Sequence, residues 1–186
     1  SAMLTLSEEP SFDDIYISYQ AKFIRFALFY VSNRQIAEDI VTDSFVNYWE
    51  NRKRLPVDTN IPAYILTCVK NRCLTFLRDT RLHEEILQGI KELEEWKIQL
   101  KISSLKACDP FELFTSEMHE MVNHAINSLP AKTKQIFLLS RMEEISHKEI
   151  AIKTGLSTKS VEFHLTKATK ILREKLKDYY ILILFI

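Results

Sequence analysis

The stretch that decides the fold of this chain is SHKEIAIKTGLSTKSVEFHLTKATKILREKL, residues 146–176. Ser146 and Glu149 form a Ser-x-x-Glu pattern, which predicts a capping box at the start of a short helix. Gly155 stands where that helix must end, and a left-handed helix end favours glycine. A second helix follows at once, so the stretch predicts a helix-turn-helix, which lays its second helix in the major groove of DNA.

The second helix of this pair is predicted to bury one face and to leave the other free. Ser157 or Thr158 can cap it. Its apolar residues recur every three or four positions, as on one buried stripe: Val161, Leu165, Ala168, Leu172 and Leu176. From Lys159 to Lys177 there are six lysine or arginine residues against two glutamates, a balance suited to phosphate contacts. An αα-corner in an ordinary helical domain is the alternative interpretation.

Composition limits the classes of protein to which this chain can belong. Of its 186 residues, 46% are hydrophobic and only two are glycine, as in a folded, helix-rich protein of one large or two small domains. Three cysteines in a chain that opens without a signal peptide indicate a reducing, cytoplasmic setting. No metal-ligand spacing, phosphate-binding loop or nucleophile motif occurs. We therefore expect no enzyme activity, no cofactor, no metal and no small-molecule substrate.

Charge is segregated along the chain, although the formal net charge is zero. Residues 8–50 hold eight acidic and three basic residues, whereas residues 51–81 hold two acidic and seven basic residues. Residues 82–120 hold nine acidic and four basic residues. Blocks of alternating sign indicate separate surfaces, acidic for protein partners and basic for nucleic acid. Solvated helix faces that happen to cluster are the plainer interpretation of any single block.

The first half of the chain is predicted to form helices with buried aromatic faces. The helix from Phe12 to Val31 has one such face: Ile15, Tyr19, Phe23, Phe26 and Tyr30. Ser32 is then predicted to begin a capping box for a second helix. The outward face of that second helix is acidic: Glu38, Asp39 and Asp43. Nothing near these carboxylates in the sequence suggests acid–base chemistry, so we interpret them as a docking face.

A polar loop and a basic helix come next. The loop, residues 51–61, holds three basic residues, and Pro62 suits the first turn of the helix after it. That helix is predicted to bury Ile65, Leu66, Val69, Leu74 and Leu77. Its other face mixes basic, amide and aromatic side chains, a pattern that binds single-stranded nucleic acid: Tyr64, Lys70, Asn71, Arg72, Phe76, Arg78 and Arg81. An amphipathic helix with a solvated basic face explains the same pattern.

Three segments resemble a known family. Region 2 of sigma-70-type factors resembles two segments of this chain, AEDIVTDSFVNYWENR (37–52) and AYILTCVKNRCLTFLRD (63–79). Region 4 of the same factors resembles the segment that runs from Phe111 through SLPAKTKQIFLLSRMEEI (128–145) to the helix-turn-helix. A short chain with these two regions is similar to the extracytoplasmic-function (ECF) sigma factors, which are bacterial transcription initiation factors. The resemblance implies an all-α fold of two small helical domains joined by a linker. The first expected domain is region 2, a bundle of three to four helices at 8–81. A connector at 82–110 would join it to region 4 at 111–178, and an apolar tail would follow at 179–186.

The resemblance also implies partners and assigns residues to them. Core RNA polymerase would be bound through its β′ clamp helices and β flap, the clamp helices meeting Glu38, Asp39 and Asp43. The −10 promoter element would be melted, with one base held in a pocket, by Arg52, Lys53, Arg54, Asn60, Lys70, Asn71, Arg72, Phe76 and Arg78. The −35 element would be read by Thr158, Lys159, Ser160, Glu162, Phe163, His164, Lys167 and Lys170. A cognate anti-sigma factor is a further expected partner, and no direct membrane insertion is expected.

Two segments and two other functions stay open. The tail YYILILFI (179–186) is too short to span a membrane and is expected either to pack in a groove of its own chain or to meet a partner. The connector is expected to be flexible or to form a solvated helix. A helix-turn-helix regulator of the two-component or quorum-sensing type shares the C-terminal pattern, but residues 11–81 lack the strand signals of its usual partner domain. A helical adaptor without DNA binding is the third interpretation, against which the basic block at 51–81 argues.

Overall fold

The computed structural model describes residues 10–88, 92–142, 145–177, 179–180 and 183, without the side chains of 84–88, 92–93 and 142. Within these residues every regular element is a helix, which confirms the predicted all-α class. The α-helices are α1 (Phe12–Val31), α2 (Arg34–Asn51), α3 (Ile61–Gln88), α4 (Glu92–Ala107), α5 (Pro110–Leu113), α6 (Ser116–Asn127), α7 (Ala131–Met142), α8 (His147–Thr154) and α9 (Thr158–Leu176). A 3-10 turn, Arg52–Arg54, follows α2.

The chain forms two compact units, unit 1 up to Glu112 and unit 2 from Leu113 onward. Unit 1 is built on α1, α2 and α3, which pack against one another around aromatic side chains. Phe45 of α2 contacts the rings of Tyr16 and Phe23 of α1, with centroids 5.0 and 6.0 Å apart. Burying aromatic rings in this way stabilises the fold because each removes a large apolar area from water.

The predicted core of unit 1 is largely correct. All five residues expected to be buried on α3 are buried, and on α1 only Tyr19 of the expected face is half-exposed. On α2, Ile36 and Ile40 are half-exposed at the edge of the core, whereas Val41, Phe45 and Tyr48 are buried. Periodicity therefore located the core, but it did not show where the core opens to solvent.

The junction of α1 and α2 corrects one prediction. Ser32 does not begin a capping box, because it ends α1 in a left-handed conformation with φ of 55° and donates its N–H to the carbonyl of Leu28. Asn33 is the residue that caps α2, since its side chain accepts a hydrogen bond from the N–H of Ile36 at 3.0 Å. Only two residues separate the helices, so one must end α1 while the other begins α2.

The expected connector, residues 82–110, belongs to unit 1 as far as the structure describes it. α3 continues to Gln88, and α4 packs back against it with Ile102 and Leu105 buried. The ammonium of Lys101 donates to the carbonyl of Tyr30 at 3.3 Å and to the hydroxyl of Ser32 at 3.0 Å, so α4 also binds the end of α1. Residues 89–91 of the connector lie outside the described residues. α4 is thus a mostly exposed helix that packs on unit 1 through Ile102 and Leu105, so this part of the connector is neither flexible nor fully solvated.

Unit 2 consists of α6 to α9 around two apolar clusters. One cluster joins α6, α7 and the second half of α9, and the other joins α7, α8 and Val161 at the start of α9. Ile183 of the tail is buried in the first cluster, and Tyr179 and Tyr180 pack against it. In the part of the tail that the structure describes, the apolar side chains therefore pack on their own chain, the first of the two expected outcomes. Residues 181–182 and 184–186 lie outside the described residues.

Candidate nucleic-acid interface

The helix-turn-helix of unit 2 is built by the predicted caps. The hydroxyl of Ser146 accepts the N–H of Glu149, and the Glu149 carboxylate accepts the N–H of Ser146 at 2.8 Å, which completes the capping box. Gly155 ends α8 with φ of +67°, a left-handed conformation that glycine adopts without strain. Ser157, rather than Thr158, caps α9 by accepting the N–H of Ser160 at 3.1 Å. The hydrogen bonds from Ser146 lower the pKa of the Glu149 carboxyl.

The two faces of α9 are distributed as the pattern predicted. Val161, Ala168, Leu172 and Leu176 are buried, while Leu165 is half-buried. The predicted contact residues lie on the remaining surface, and most are exposed: Thr158, Lys159, Glu162, Phe163, Lys167 and Lys170. Three of these are lysines on one helix, an arrangement that can contact the phosphates on either side of a groove.

Two of the predicted contact residues of α9 have partners inside unit 2. The Nδ1 atom of His164 lies 2.9 Å from the hydroxyl of Thr133, a buried residue of α7. The carboxylate of Glu162 lies 3.9 Å from Nδ1 of His147, the first residue of α8. Sequence reasoning missed both contacts because the partners are distant in the chain or belong to the preceding helix.

The polar loop of unit 1 exposes two of its three basic residues. Lys53 and Arg54 are exposed, whereas the guanidinium of Arg52 stacks on the ring of Trp49, 3.5 Å from its centroid. Asn60 caps α3, since its side-chain oxygen accepts the N–H of Ala63 at 3.1 Å. The resemblance to the family predicts that Asn60 contacts DNA, whereas in the structure its side-chain oxygen makes this helix-capping hydrogen bond.

A groove of about 390 Å³, the loop groove, lies between this loop and the start of α1. Its walls combine apolar side chains with a few polar ones: Pro10, Asp14, Ile15, Ser18, Tyr19, Val57, Thr59, Asn60, Ile61 and Pro62. Val57 is almost fully exposed at its rim. A mostly apolar cleft with a few polar groups is the usual form of a small-molecule binding site.

A second groove, the α2–α3 groove, has a volume of about 570 Å³ and collects predicted DNA-binding residues of α3. Its lining comes from both helices: Ile36, Ile40, Asn47, Cys68, Asn71, Arg72, Thr75, Phe76 and Asp79. Asn71 and Arg72 are exposed and Phe76 is half-buried, so an amide, a guanidinium and a ring are all accessible. Asn47 is a lining residue that the sequence did not suggest, because a lone asparagine on a helix has no distinguishing pattern. Burial raises the pKa of the Cys68 thiol beside it.

The acidic residues of α2 lie at the surface but have neighbours. Glu38 pairs with Arg34 at 2.8 Å, and Asp39 accepts a hydrogen bond from the side chain of Gln35 at 3.1 Å. Asp43 lies 3.6 Å from the guanidinium of Arg72 on α3. All three are surface contacts, which contribute little to stability and can be exchanged for a partner.

Lys70 is turned away from the other predicted contacts of α3. Its ammonium donates to the carbonyl of Cys108 at 2.5 Å and to that of Lys106 at 3.4 Å. These carbonyls lie at the C-terminal end of α4, where the helix dipole favours a positive charge. Arg81 likewise binds α4, through Glu95 at 3.3 Å and Gln99 at 2.9 Å. Two basic residues of the predicted nucleic-acid face of α3 thus hold α4 in place.

No group of three or more His, Cys, Asp or Glu side chains in the part of the chain that the structure describes could hold a metal ion. No described helix is both long and apolar enough to cross a membrane. The candidate surfaces are the acidic face of α2, the two grooves and the outward face of α9.

Comparison with known proteins identifies both units. Residues 15–83, within unit 1, match the family described as Sigma-70 region 2, and residues 119–172, within unit 2, match the family described as Sigma-70, region 4. A protein of Haemophilus influenzae named as a probable RNA polymerase sigma factor is 23% identical over 158 residues, which cover 80% of this chain and 81% of that protein. RNA polymerase sigma factor SigV of Bacillus subtilis is 26% identical over 158 residues, which cover 85% of this chain and 86% of SigV.

Proposed function

Because the chain belongs to the ECF group of sigma-70 factors, which direct RNA polymerase to promoters, we propose that unit 1 melts the −10 element and unit 2 reads the −35 element. The protein itself would catalyse no reaction, since the bound polymerase makes the RNA. The observation that supports the proposal best is the presence of two different surfaces in one chain. One is the outward face of a capped helix-turn-helix, and the other is a groove that offers amide, guanidinium and aromatic groups.

In unit 2, α9 would enter the major groove with Lys159, Lys167 and Lys170 against phosphates. Thr158, Ser160 and Phe163 would lie nearer the base edges. Such a division is usual, because phosphate contacts set the position of a helix and base-edge contacts select the sequence. Glu162 and His164 stay in the proposed set, but the contact of His164 with Thr133 would limit the freedom of its ring to meet bases.

In unit 1, single-stranded DNA of the melted −10 element would run along the α2–α3 groove and the polar loop. Asn71, Arg72, Phe76 and Arg78 would contact it from α3. Arg52, Lys53, Arg54 and Asn60 would contact it from the loop, and a flipped base would enter the loop groove. Extruding a base costs a few kcal/mol, which contacts in a pocket offset. Lys70 we assign to holding α4, because its ammonium already binds two carbonyls there.

Core RNA polymerase would bind through its β′ clamp helices to Glu38, Asp39 and Asp43 of α2, and through its β flap to unit 2. The exposed, weakly paired carboxylates of α2 support this assignment, since a basic partner could replace their present neighbours. A cognate anti-sigma factor is a further proposed partner, and the cytoplasm, where polymerase and promoters are found, is the proposed location.

Permanganate reactivity and DNase footprinting on one promoter, with reconstituted holoenzyme, test the division of labour between the units. We expect Asn71→Ala to abolish the reactivity of unpaired thymines near −10 while −35 protection persists. The double variant Lys159→Ala with Lys167→Ala should lose the −35 protection, and Lys175→Ala, at the far end of the same helix, should keep it. Loss of −35 protection in Asn71→Ala, or unchanged protection in the double variant, contradicts the assignment.

A further inference from the structure

Phe163 is a large apolar side chain on the face of α9 that is proposed to meet DNA. It is 62% exposed, and it lies four residues after Lys159 and four before Lys167, so all three share one face of the helix. Lysines on both sides can contact phosphates while the ring between them faces the floor of the groove. A single exposed ring is common on protein surfaces, so its exposure alone decides nothing.

The Phe163 ring has a ring contact, which links it to the core of unit 2. Its centroid lies 5.5 Å from that of His164, and the two rings meet edge to face at 73°. Nδ1 of His164 lies 2.9 Å from the hydroxyl of Thr133, which is buried on α7. A chain of contacts thus runs from the core of unit 2 through the imidazole to the exposed ring. A ring restrained in this way loses less conformational entropy when it binds than a freely rotating one.

One neighbouring polar side chain is less available for bases than the sequence suggested, because a ring nitrogen of His164 lies 2.9 Å from the hydroxyl of Thr133. Glu162 lies 3.9 Å from His147 and is exposed. Phe163 is the exposed apolar side chain between the two lysines, so it is the one suited to an apolar contact with a base edge.

In the major groove the C5-methyl of thymine is the apolar group that the standard bases present. We propose that Phe163 contacts the methyl group of a thymine in the −35 element and so makes that thymine part of the recognised sequence. Thr133 and His164 act as positioning residues for the ring. This inference rests on the proposed function, because it requires α9 to lie in the major groove of the −35 element.

The test uses holoenzyme and a promoter mapped with it. Each thymine of the −35 element is replaced in turn by deoxyuridine, which pairs with adenine in the same way but lacks the methyl group. At one position we expect deoxyuridine to slow open-complex formation about three- to fivefold with the wild-type protein, the effect expected for one methyl group removed from an apolar contact. Phe163→Ala should lose a similar factor on the thymine template and should not distinguish deoxyuridine from thymine.

Matched variants separate this contact from general damage. Phe29→Ala removes a ring that is 52% exposed on α1 and should keep full discrimination. Thr133→Val should reduce the discrimination, and Thr133→Ser, which keeps the hydroxyl, should restore it. If Thr133→Val lowers the stability of the protein, measured by circular dichroism, but leaves the discrimination unchanged, the positioning role is wrong.

Two results overturn the methyl contact while leaving the proposed function intact. One is a wild-type holoenzyme that initiates at the promoter but tolerates deoxyuridine at every −35 position. The other is Phe163→Ala retaining the wild-type discrimination. Failure to obtain any promoter-specific transcript would appear before deoxyuridine is introduced, and it would contradict the proposed function itself and this inference with it.

Discussion

Lys70 and Lys53 show how differently two basic residues of unit 1 are placed. The sequence assigns both to DNA, yet Lys70 binds the carbonyls of Cys108 and Lys106, whereas Lys53 is exposed in the loop. No local pattern could separate them, because the partners of Lys70 lie more than 35 residues further along the chain. Which lysine is free is decided by tertiary packing.

Lys70→Ala is expected to destabilise unit 1 by about 1 kcal/mol, the typical net contribution of a hydrogen bond. Both tryptophans of the chain, Trp49 and Trp96, lie in unit 1, so tryptophan fluorescence in urea reports the unfolding of this unit. Lys53→Ala should leave that transition unchanged. It should instead lower the salt dependence of promoter binding by about one phosphate contact. If Lys70→Ala lowers the salt dependence and Lys53→Ala instead destabilises unit 1, Lys70 is the DNA contact.

Glu149 gives unit 2 an expected pH dependence. Hydrogen bonds from Ser146 lower the pKa of its carboxyl in the folded protein. A lowered carboxyl pKa stabilises the folded state at pH values above the ordinary glutamate pKa, and that stabilisation is lost as the pH falls through the lowered value. We therefore expect acid to weaken the start of α8.

Glu149→Gln keeps an acceptor for the capping box but cannot titrate, so its stability should change less than the wild type's on acidification. Ser146→Ala should cost about 1 kcal/mol at neutral pH through loss of the cap. Amide hydrogen exchange in α8, measured from neutral to acidic pH, checks both variants. Identical pH profiles for wild type and Glu149→Gln would rule out the carboxylate as the source.

The elements of the fold were predictable where their signals were local. Both ends of α8 and the start of α9 follow from Ser146, Gly155 and Ser157, because caps and glycine act within a few residues. Ser32 was assigned wrongly because two capping residues stand side by side, and only the backbone geometry shows that Ser32 ends α1. The packing of α4 was not predictable, since its buried residues are few and its anchors on α1 and α3 are distant in sequence.

α4 itself can be tested with two leucines of the same helix. Leu105 is fully buried and Leu100 is 48% exposed. Leu105→Ala should destabilise unit 1 by about 2–5 kcal/mol, as expected when a buried leucine leaves a cavity. Leu100→Ala should change stability by no more than about 0.5 kcal/mol. Tryptophan fluorescence during urea unfolding provides the comparison, and equal small effects would mean that α4 does not pack on unit 1.

At the scale of the whole molecule, the two units hold different candidate surfaces. Unit 1 has the acidic face of α2 and the grooves beside the loop and α3, and unit 2 has the outward face of α9. The separation of charge along the sequence predicted distinct surfaces for protein and nucleic acid. It could not predict the grooves, because their walls combine side chains from helices that only folding brings together.

The central claim is that this protein directs core RNA polymerase to promoters through both units. Run-off transcription with purified core polymerase and a genomic promoter pool tests it most directly. We expect promoter-specific transcripts with the wild type, and their loss with Asp39→Arg, which reverses a charge on the proposed docking face, or with Asn71→Ala. Glu174→Arg, a charge reversal at an exposed position near the end of α9, should leave them largely intact. Binding to duplex promoter DNA without polymerase, and no initiation with it, would contradict the account and favour a helix-turn-helix regulator.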